Sequence, residues 1–360
     1  MARAAGPPAL RIAVIGGDGI GPEVTREACR ALNAAASAGL ADLELTEFPH
    51  GADHYLSTGE TLSPATFATL RDDFDAILFG AVGDPRVPDG EHARDLLLGL
   101  RVRLDLFINR RPLRLRAPEL SPLKSAASAP IDFEIFRENT EGLYVGVGRI
   151  ENAGTPEETA VSESVASRFA VDRIVRRAFE HAAPRGLRVT LADKANAVPH
   201  MFGLWRRVFS EIAAEYPGVA SEMRYVDALA MEMIRVPARF GVIVTSNLLG
   251  DILSDLGAEI VGGPGLAPSA NVNPGVHGLY EPVHGSAPDI VGTGRANPMA
   301  AVLSAALLLR DHGAEAAADA LEGAVDAALA RGVRTPDIGG GATTAEVGAW
   351  IARRVASGAA

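Results

Sequence analysis

Short apolar runs rich in β-branched residues alternate along this chain with longer stretches whose apolar positions recur every three or four residues. Residues 11–15, 75–79, 131–137, 187–191 and 241–245 are of the first kind. They read as strands, and several are apolar without interruption, as strands buried on both faces are. Helical periodicity covers 23–36, 94–106, 162–182 (with Val165, Phe169, Ile174 and Ala178 on one face), 197–214, the segment with Met231, Met233 and Ile234, 247–256, 299–312 and 314–330, with a last helix at the end. Residues 112–130 read as loop, 146–159 as a polar, protruding arm, and 262–294 as irregular because glycine and proline are frequent there. Strand–helix alternation predicts an α/β fold with a largely parallel sheet covered on both faces. At 360 residues two domains are expected, and with no low-complexity linker they should share one sheet.

The stretch 240–257, FGVIVTSNLLGDILSDLG, concentrates the chemistry. A buried strand leads into a helix that Asn247 is placed to cap. On that helix Asp251 and Asp255 stand four residues apart, so their carboxylates lie on one face. Like charges at that spacing repel unless a cation sits between them, and hard oxygen ligands suit Mg²⁺ or Mn²⁺. Two unrelated acids on a solvated face would give the same pattern.

Composition narrows the partners. A net charge of −11 argues against a general nucleic-acid binder, though a local cationic pocket for a small anion remains compatible. The single cysteine, Cys29, forms no internal disulfide, which fits a reducing cytoplasm. Residues 1–10, MARAAGPPAL, lack the apolar core of a signal peptide, and the apolar run 300–309 is too short to span a bilayer, so no membrane association is expected.

Further candidates are scattered. The turn Gly16-Gly17-Asp18-Gly19-Ile20-Gly21-Pro22 follows a strand and precedes a helix, but Pro22 occupies the third glycine position of a dinucleotide fingerprint. Arg101, Arg111 and Arg137 sit at element ends, where clustered guanidiniums would suit a di- or tricarboxylate and scattered ones would be surface ion pairs. Tyr144 and Lys194 lie near strand ends, where either could move a proton if its pKa were tuned. Asp227 also follows a strand. Residues 281–289, EPVHGSAPD, form a turn-rich segment that would hold a nucleotide or be an ordinary loop.

Together these pieces resemble one family. GDGIGPEV (17–24), GAVGDP (80–85), LRVRLDLFINRRP (100–112), RENTEGLY (137–144), DKAN (193–196), VDALAM (226–231), TSNLLGDILSDL (245–256), GLAPSANVNP (265–274), EPVHGSAPDI (281–290) and ANP (296–298) are similar, in order, to motifs of the metal-dependent β-decarboxylating dehydrogenases, the isocitrate/isopropylmalate dehydrogenase family. The resemblance implies a homodimer of subunits with two α/β domains around a cleft. The larger, dinucleotide-binding domain would be 1–106 with 262–360, and the smaller would be 107–261, carrying the arm and the dimer contact. By position, Arg101, Arg111 and Arg137 would hold substrate carboxylates. Asp251 and Asp255 of one subunit and Asp227 of the other would bind Mg²⁺ or Mn²⁺. Lys194, also reaching across, and Tyr144 would transfer protons. His284, Gly285, Ser286, Ala287, Asp289 and Asn297 would line the dinucleotide site, and the acid at Asp289 favours NAD because it repels a 2′-phosphate.

The implied reaction is NAD-dependent oxidation of a 2-hydroxy acid to a metal-held 2-keto acid, followed by loss of CO2. Leu97 and Leu98, before Arg101, suit an alkyl substituent on C3 better than a carboxylate, which points to 3-isopropylmalate or a related 3-alkylmalate. Arg94, one turn back, would suit a carboxylate instead. RENTEGLY and RTPDIGG are more like homoisocitrate, isocitrate or tartrate/D-malate enzymes, and a non-catalytic regulatory paralogue is the reading from another class.

Overall fold

The computed structural model describes residues 9–124 and 129–358; the N-terminal segment read for a leader lies mostly outside them. In chain order the strands are β1 (Leu10–Gly17), β2 (Leu43–Phe48), β3 (Ala76–Ala81), β4 (Ile108–Arg114), β5 (Asp132–Glu138), β6 (Gly148–Glu151), β7 (Thr159–Ser162), β8 (Val189–Asp193), β9 (Ser221–Tyr225), β10 (Val242–Thr245), β11 (Pro268–Asn273) and β12 (His277–Pro282). Ten of these form one sheet in the order β2-β1-β3-β12-β11-β4-β5-β10-β8-β9, and β6 and β7 pair as a separate hairpin. The flanks are parallel, as the apolar runs predict. The centre, β12-β11-β4-β5, is antiparallel.

That antiparallel centre corrects the sequence reading, which took the segment after Arg111 and residues 262–294 for irregular chain. Its strands do not look like strands because they carry charge. In β4, INRRPLR, side chains alternate between the two faces of the sheet. Asn109, Arg111 and Leu113 share one face, and the register aligns Asn109 with Arg137 of β5 and with Asn271 of β11. Glu281 of β12 pairs with Ser269, two positions along β11 from Asn271 and so on the same face. One face of the central strands therefore presents Asn109, Arg111, Arg137, Asn271 and Glu281, all buried.

The helix Asn247–Ile260 lies on that face. Glycines bring it close: a Cβ at Gly250 would fall 2.7 Å from the Arg137 Cβ, and one at Gly257 would fall 2.4 Å from the Leu113 Cδ1. On the other face pack Met299–Asp311, buried over almost its whole length, and Gly21–Ser37, with Glu315–Ala330 and Thr344–Ala356 behind them. The last helix begins at a reciprocal cap between Thr343 and Glu346. No helix among the described residues is long and apolar enough to cross a membrane.

Two local expectations change. Asn247 does not cap its helix; Ser246 occupies that position without a side-chain cap bond. The helix predicted from residue 162 spans Arg168–Ala182, so Val165 precedes it, and Phe169 is 71% exposed rather than buried. The arm is the β6–β7 hairpin, 148–162, slightly beyond the predicted 146–159. Cys29 is half-buried on Gly21–Ser37, and burial pushes its thiol up to about 12.

Candidate active site

The three arginines predicted as carboxylate ligands converge. Arg137 donates from Nε to Asn247 Oδ1 at 2.8 Å and from Nη1 to Asp251. Arg111 donates to Ser254 Oγ at 2.6 Å and to Asp255 at 3.2 Å, and it lies 3.6 Å from Asp251. Arg101 comes from the helix Gly99–Arg103 and donates to Glu281 at 2.7 Å. Asn271 secures Glu281 from the sheet, donating to it at 2.8 Å, and itself accepts from Asn109 at 2.9 Å and Asn139 at 3.0 Å. Asn247 reads from the sequence only as a helix cap, and Ser254 and Glu281 do not stand out because each lies inside a motif whose other residues draw attention. The buried asparagines left no periodic signal.

Each guanidinium meets a carboxylate, Arg101 that of Glu281, Arg111 that of Asp255 and Arg137 that of Asp251, yet the three cations still act on one another. Burial, together with Arg111 and Arg101, lowers the Arg137 guanidinium to about 10. Burial likewise depresses Arg111, with Arg101 adding to it against Asp251 and Asp255. Buried cations crowded enough to weaken one another leave room for an anion of matching charge. The arrangement is that of a di- or tricarboxylate receptor, in which planar guanidiniums accept bidentate carboxylates.

Tyr144, following a 3₁₀ start at Leu143, donates its hydroxyl to Asp251 Oδ2 at 2.7 Å. Its phenol pKa is raised, first by burial and then by the Asp251 carboxylate. Asp251 would itself be raised by burial, but Arg137, the Tyr144 hydrogen bond and Arg111 outweigh that and hold it below the ordinary carboxylate value. Asp255 moves the other way: burial, with Asp251 repelling it, raises its pKa against Arg111. Two hard carboxylates one helical turn apart, one of them reluctant to ionise, fit a divalent cation.

Lys194 and Asp227 are not brought to this cluster. Lys194 Nζ donates to Asp227 Oδ2 at 2.7 Å, and that bond lowers the Asp227 pKa. Neither bonds to Asp251, Asp255 or the arginines, and among the described residues no group of three metal-ligating side chains gathers within one chain. The chain thus presents two separate parts of the predicted constellation.

Leu97 and Leu98 lie on a wide π-helical turn, Arg94–Leu98, just before the Arg101 helix. Both are half-buried, Leu97 against the apolar cluster beneath β1 and β3, and Arg94 is exposed.

The predicted dinucleotide residues lie after β12. His284 is enclosed, burial lowers its pKa, and its Nε2 has no partner. Ala287 adopts φ 39°, a left-handed conformation. The glycine turn clasps this loop, since Ile20 N donates to Ser286 O at 2.8 Å and a Cβ on Gly19 would lie 2.0 Å from that oxygen. The glycines after β1 thus serve close backbone packing, which explains why their spacing misses the usual fingerprint. An unpartnered Nε2 on a half-buried imidazole whose Nδ1 is held by Gly285 O at 3.0 Å, beside the left-handed turn at Ala287, fits a polar ligand there. Asp289 is exposed on the rim. Asn297 is engaged locally, donating to Asp337 at 3.0 Å and accepting from Met299 N at 3.0 Å.

Two guanidiniums on the central strands and a third on a neighbouring helix, beside paired carboxylates and with a polar loop beyond β12, define an α/β enzyme built for a small polycarboxylate. A profile described as isocitrate/isopropylmalate dehydrogenase matches residues 11–351, and the chain belongs to that family of dehydrogenases. It is 49% identical to a 3-isopropylmalate dehydrogenase of Corynebacterium diphtheriae, over 88% of this chain and 92% of that one. It is 45% identical to one from Thermobifida fusca, over 96% and 98%. Among solved structures, an isocitrate dehydrogenase from Methylococcus capsulatus superimposes with a TM-score of 0.88 at 35% identity, covering 96% of this chain and 99% of that one.

Proposed function

We propose that this chain catalyses the NAD-dependent oxidative decarboxylation of 3-isopropylmalate, as a cytoplasmic homodimer whose active sites are completed across the subunit interface. The observation that carries this reading is the buried Arg101–Arg111–Arg137 trio closing on Asp251 and Asp255. The relatives named 3-isopropylmalate dehydrogenase support the substrate. So does the half-buried Leu97 before Arg101, because a charged C3 substituent against it would be costly.

The arginines bind and orient the two carboxylates of the malate core. Asp251 and Asp255, with Asp227 of the partner subunit, hold a Mg²⁺ or Mn²⁺ ion. When bound, the ion supplies Lewis acidity toward the 2-hydroxyl and NAD supplies the hydride acceptor. Lys194 of the partner subunit takes the hydroxyl proton as hydride leaves C2. After the C3–carboxylate bond breaks and CO2 departs, Tyr144, a phenol that is protonated at neutral pH, returns a proton to C3. His284 through Ala287, with Asp289 and Asn297, receive NAD.

The two-domain division at 106/107 and 261/262 places the hinge in the strands joining β3–β12 to β5–β10. A dimer fits the adjacent helices Val226–Arg235 and Asn247–Ile260, where Met231 and Ile252 stay exposed, and the exposed β6–β7 arm with Ile150. The test is NADH formation by purified protein with Mn²⁺ and five candidates: 3-isopropylmalate, isocitrate, homoisocitrate, tartrate and D-malate. The reading predicts that kcat/KM for 3-isopropylmalate exceeds the others by about tenfold or more. Preference for a tricarboxylate would overturn the substrate, and silence on all five would overturn the activity.

A further inference from the structure

The segment that joins the Arg101 helix to β4 contains one of the three described non-glycine residues with positive φ. Asp105 sits at φ 49°. Its neighbours are tightly turned, with Leu106 N donating to Arg101 O at 2.8 Å and Phe107 N to Asp105 O at 2.8 Å. A non-glycine residue in that region persists only where its surroundings hold it. Here the holding group is Arg173, on the helix Arg168–Ala182. Its Nη1 donates to both Asp105 carboxylate oxygens, at 2.9 and 2.8 Å. Its guanidinium lies 4.3 Å from the Phe107 ring centroid and 4.8 Å from that of Phe169. Phe169, exposed against expectation, is therefore one wall of a stacked arginine.

The other end of the same fork reaches the second substrate-binding segment. Arg173 Nη2 donates to Thr140 Oγ1 at 2.9 Å, and Thr140 Oγ1 donates to the buried Glu138 at 2.6 Å. Thr140 lies between Arg137 and Tyr144. Asn139 adds a parallel tie, donating from Nδ2 to Leu106 O at 2.9 Å and from its backbone N to Phe107 O at 3.1 Å. Two chain segments, one ending the Arg101 helix and one carrying Arg137 and Tyr144, are thus locked together outside the site.

We propose that Arg173 is a positioning residue for substrate, a clamp that fixes the Asp105 turn against residues 138–144 and so sets the spacing of Arg101 relative to Arg137 and Tyr144. The role rests on the function proposed above. A lysine cannot replace it, because one ammonium cannot sit on the Asp105 carboxylate, reach the Thr140 hydroxyl and stack between two rings at once. The clamp touches no substrate. Its effect is geometric, and it is felt where a polycarboxylate must meet guanidiniums carried by both segments.

The test compares Arg173→Lys, Asp105→Gly and the double variant with wild type. Asp105→Gly keeps the left-handed backbone accessible while removing the carboxylate. Arg173→Lys is expected to raise KM for 3-isopropylmalate about tenfold while kcat and the KM for NAD change by less than about twofold. Asp105→Gly should show the same pattern, and the double variant should be no worse than Arg173→Lys, since both variants break the Arg173–Asp105 pair. Hydrogen exchange on the free protein provides a readout without substrate: amides of 101–107 and 139–144 should lose protection together in Arg173→Lys. A folded Arg173→Lys with unchanged KM, additive singles, or lost protection confined to residues 168–182 would overturn the clamp. If wild type proves inactive on 3-isopropylmalate, the exchange arm still decides whether the clamp exists, so the two failures are separable.

Discussion

Replacing Gly250 by alanine would set a methyl carbon 2.7 Å from Cβ, 2.8 Å from Cγ and 3.2 Å from Cδ of Arg137. Two opposing terms follow. Alanine in place of glycine inside a helix is worth about 1 kcal/mol of stability. Overpacking against a side chain that is 1% exposed costs about 1–3 kcal/mol, because the stem of Arg137 has nowhere to retreat between β5 and the helix. The balance is a loss of about 0–2 kcal/mol. The effect on binding should be larger than the effect on folding. Moving the stem carries the guanidinium away from Asn247 and Asp251, and a hydrogen bond to a charged group is worth about 1.5–3 kcal/mol. KM for substrate should therefore rise about ten- to a hundredfold. Urea titration gives the first quantity and initial rates of NADH formation give the second. A Gly250→Ala protein that is about 1 kcal/mol more stable than wild type, with unchanged KM, would refute the close packing of helix on arginine from which the estimate comes.

Other outcomes follow from the same geometry. Mn²⁺ should raise the melting temperature of wild type but not of Asp251→Asn, whose NADH production should also collapse; equal stabilisation of both would place the metal elsewhere. His277 is buried, with Nε2 against Leu70 O at 2.9 Å, and burial lowers its proton affinity below the ordinary 6.5. The unfolded chain then binds the extra proton first, so this part of the stability is present above about pH 6.5 and drains away as acid is added. His277→Gln should flatten the acid limb of stability measured by urea titration across that range, and an unchanged limb would contradict it. Asp289→Lys should shift the ratio of kcat/KM toward NADP over NAD by about tenfold or more, which initial rates with the two cofactors would measure; an unmoved ratio would remove Asp289 from the ribose site.

Particular residues show what could be read from the chain and what could not. β3, AILFGA, and β10, VIVT, announced themselves because both faces are buried and only apolar side chains are free to fill such positions. The gathering of Asp251 and Asp255 with Arg111 and Arg137 was legible because spacing translates into one helix face and one sheet face, while Arg101 joins them from its own helix. β4, β11 and β12 were not legible. Their buried faces hold Asn109, Asn271, Ser269 and Glu281, which are stable there only because they bond one another across strands. A pattern that reads polarity as exposure takes such strands for loops. Phe169 failed in the opposite sense, since its ring is exposed to water but occupied by a guanidinium. Lys194 and Asp227 bond each other and stand apart from Asp251, which no pattern within the sequence foretold.

That separation gives the most direct measurement. Lys194→Ala and Asp251→Asn subunits, each inactive alone, can be mixed, unfolded and refolded together, then assayed for NADH and CO2 from 3-isopropylmalate with Mn²⁺. If each site takes Asp251 and Asp255 from one subunit and Lys194 and Asp227 from the other, half the dimers are mixed, and each of those has one intact site of two. Activity should then return to about a quarter of the wild-type value. No activity above that of the separately refolded variants would contradict a decarboxylating site shared between subunits.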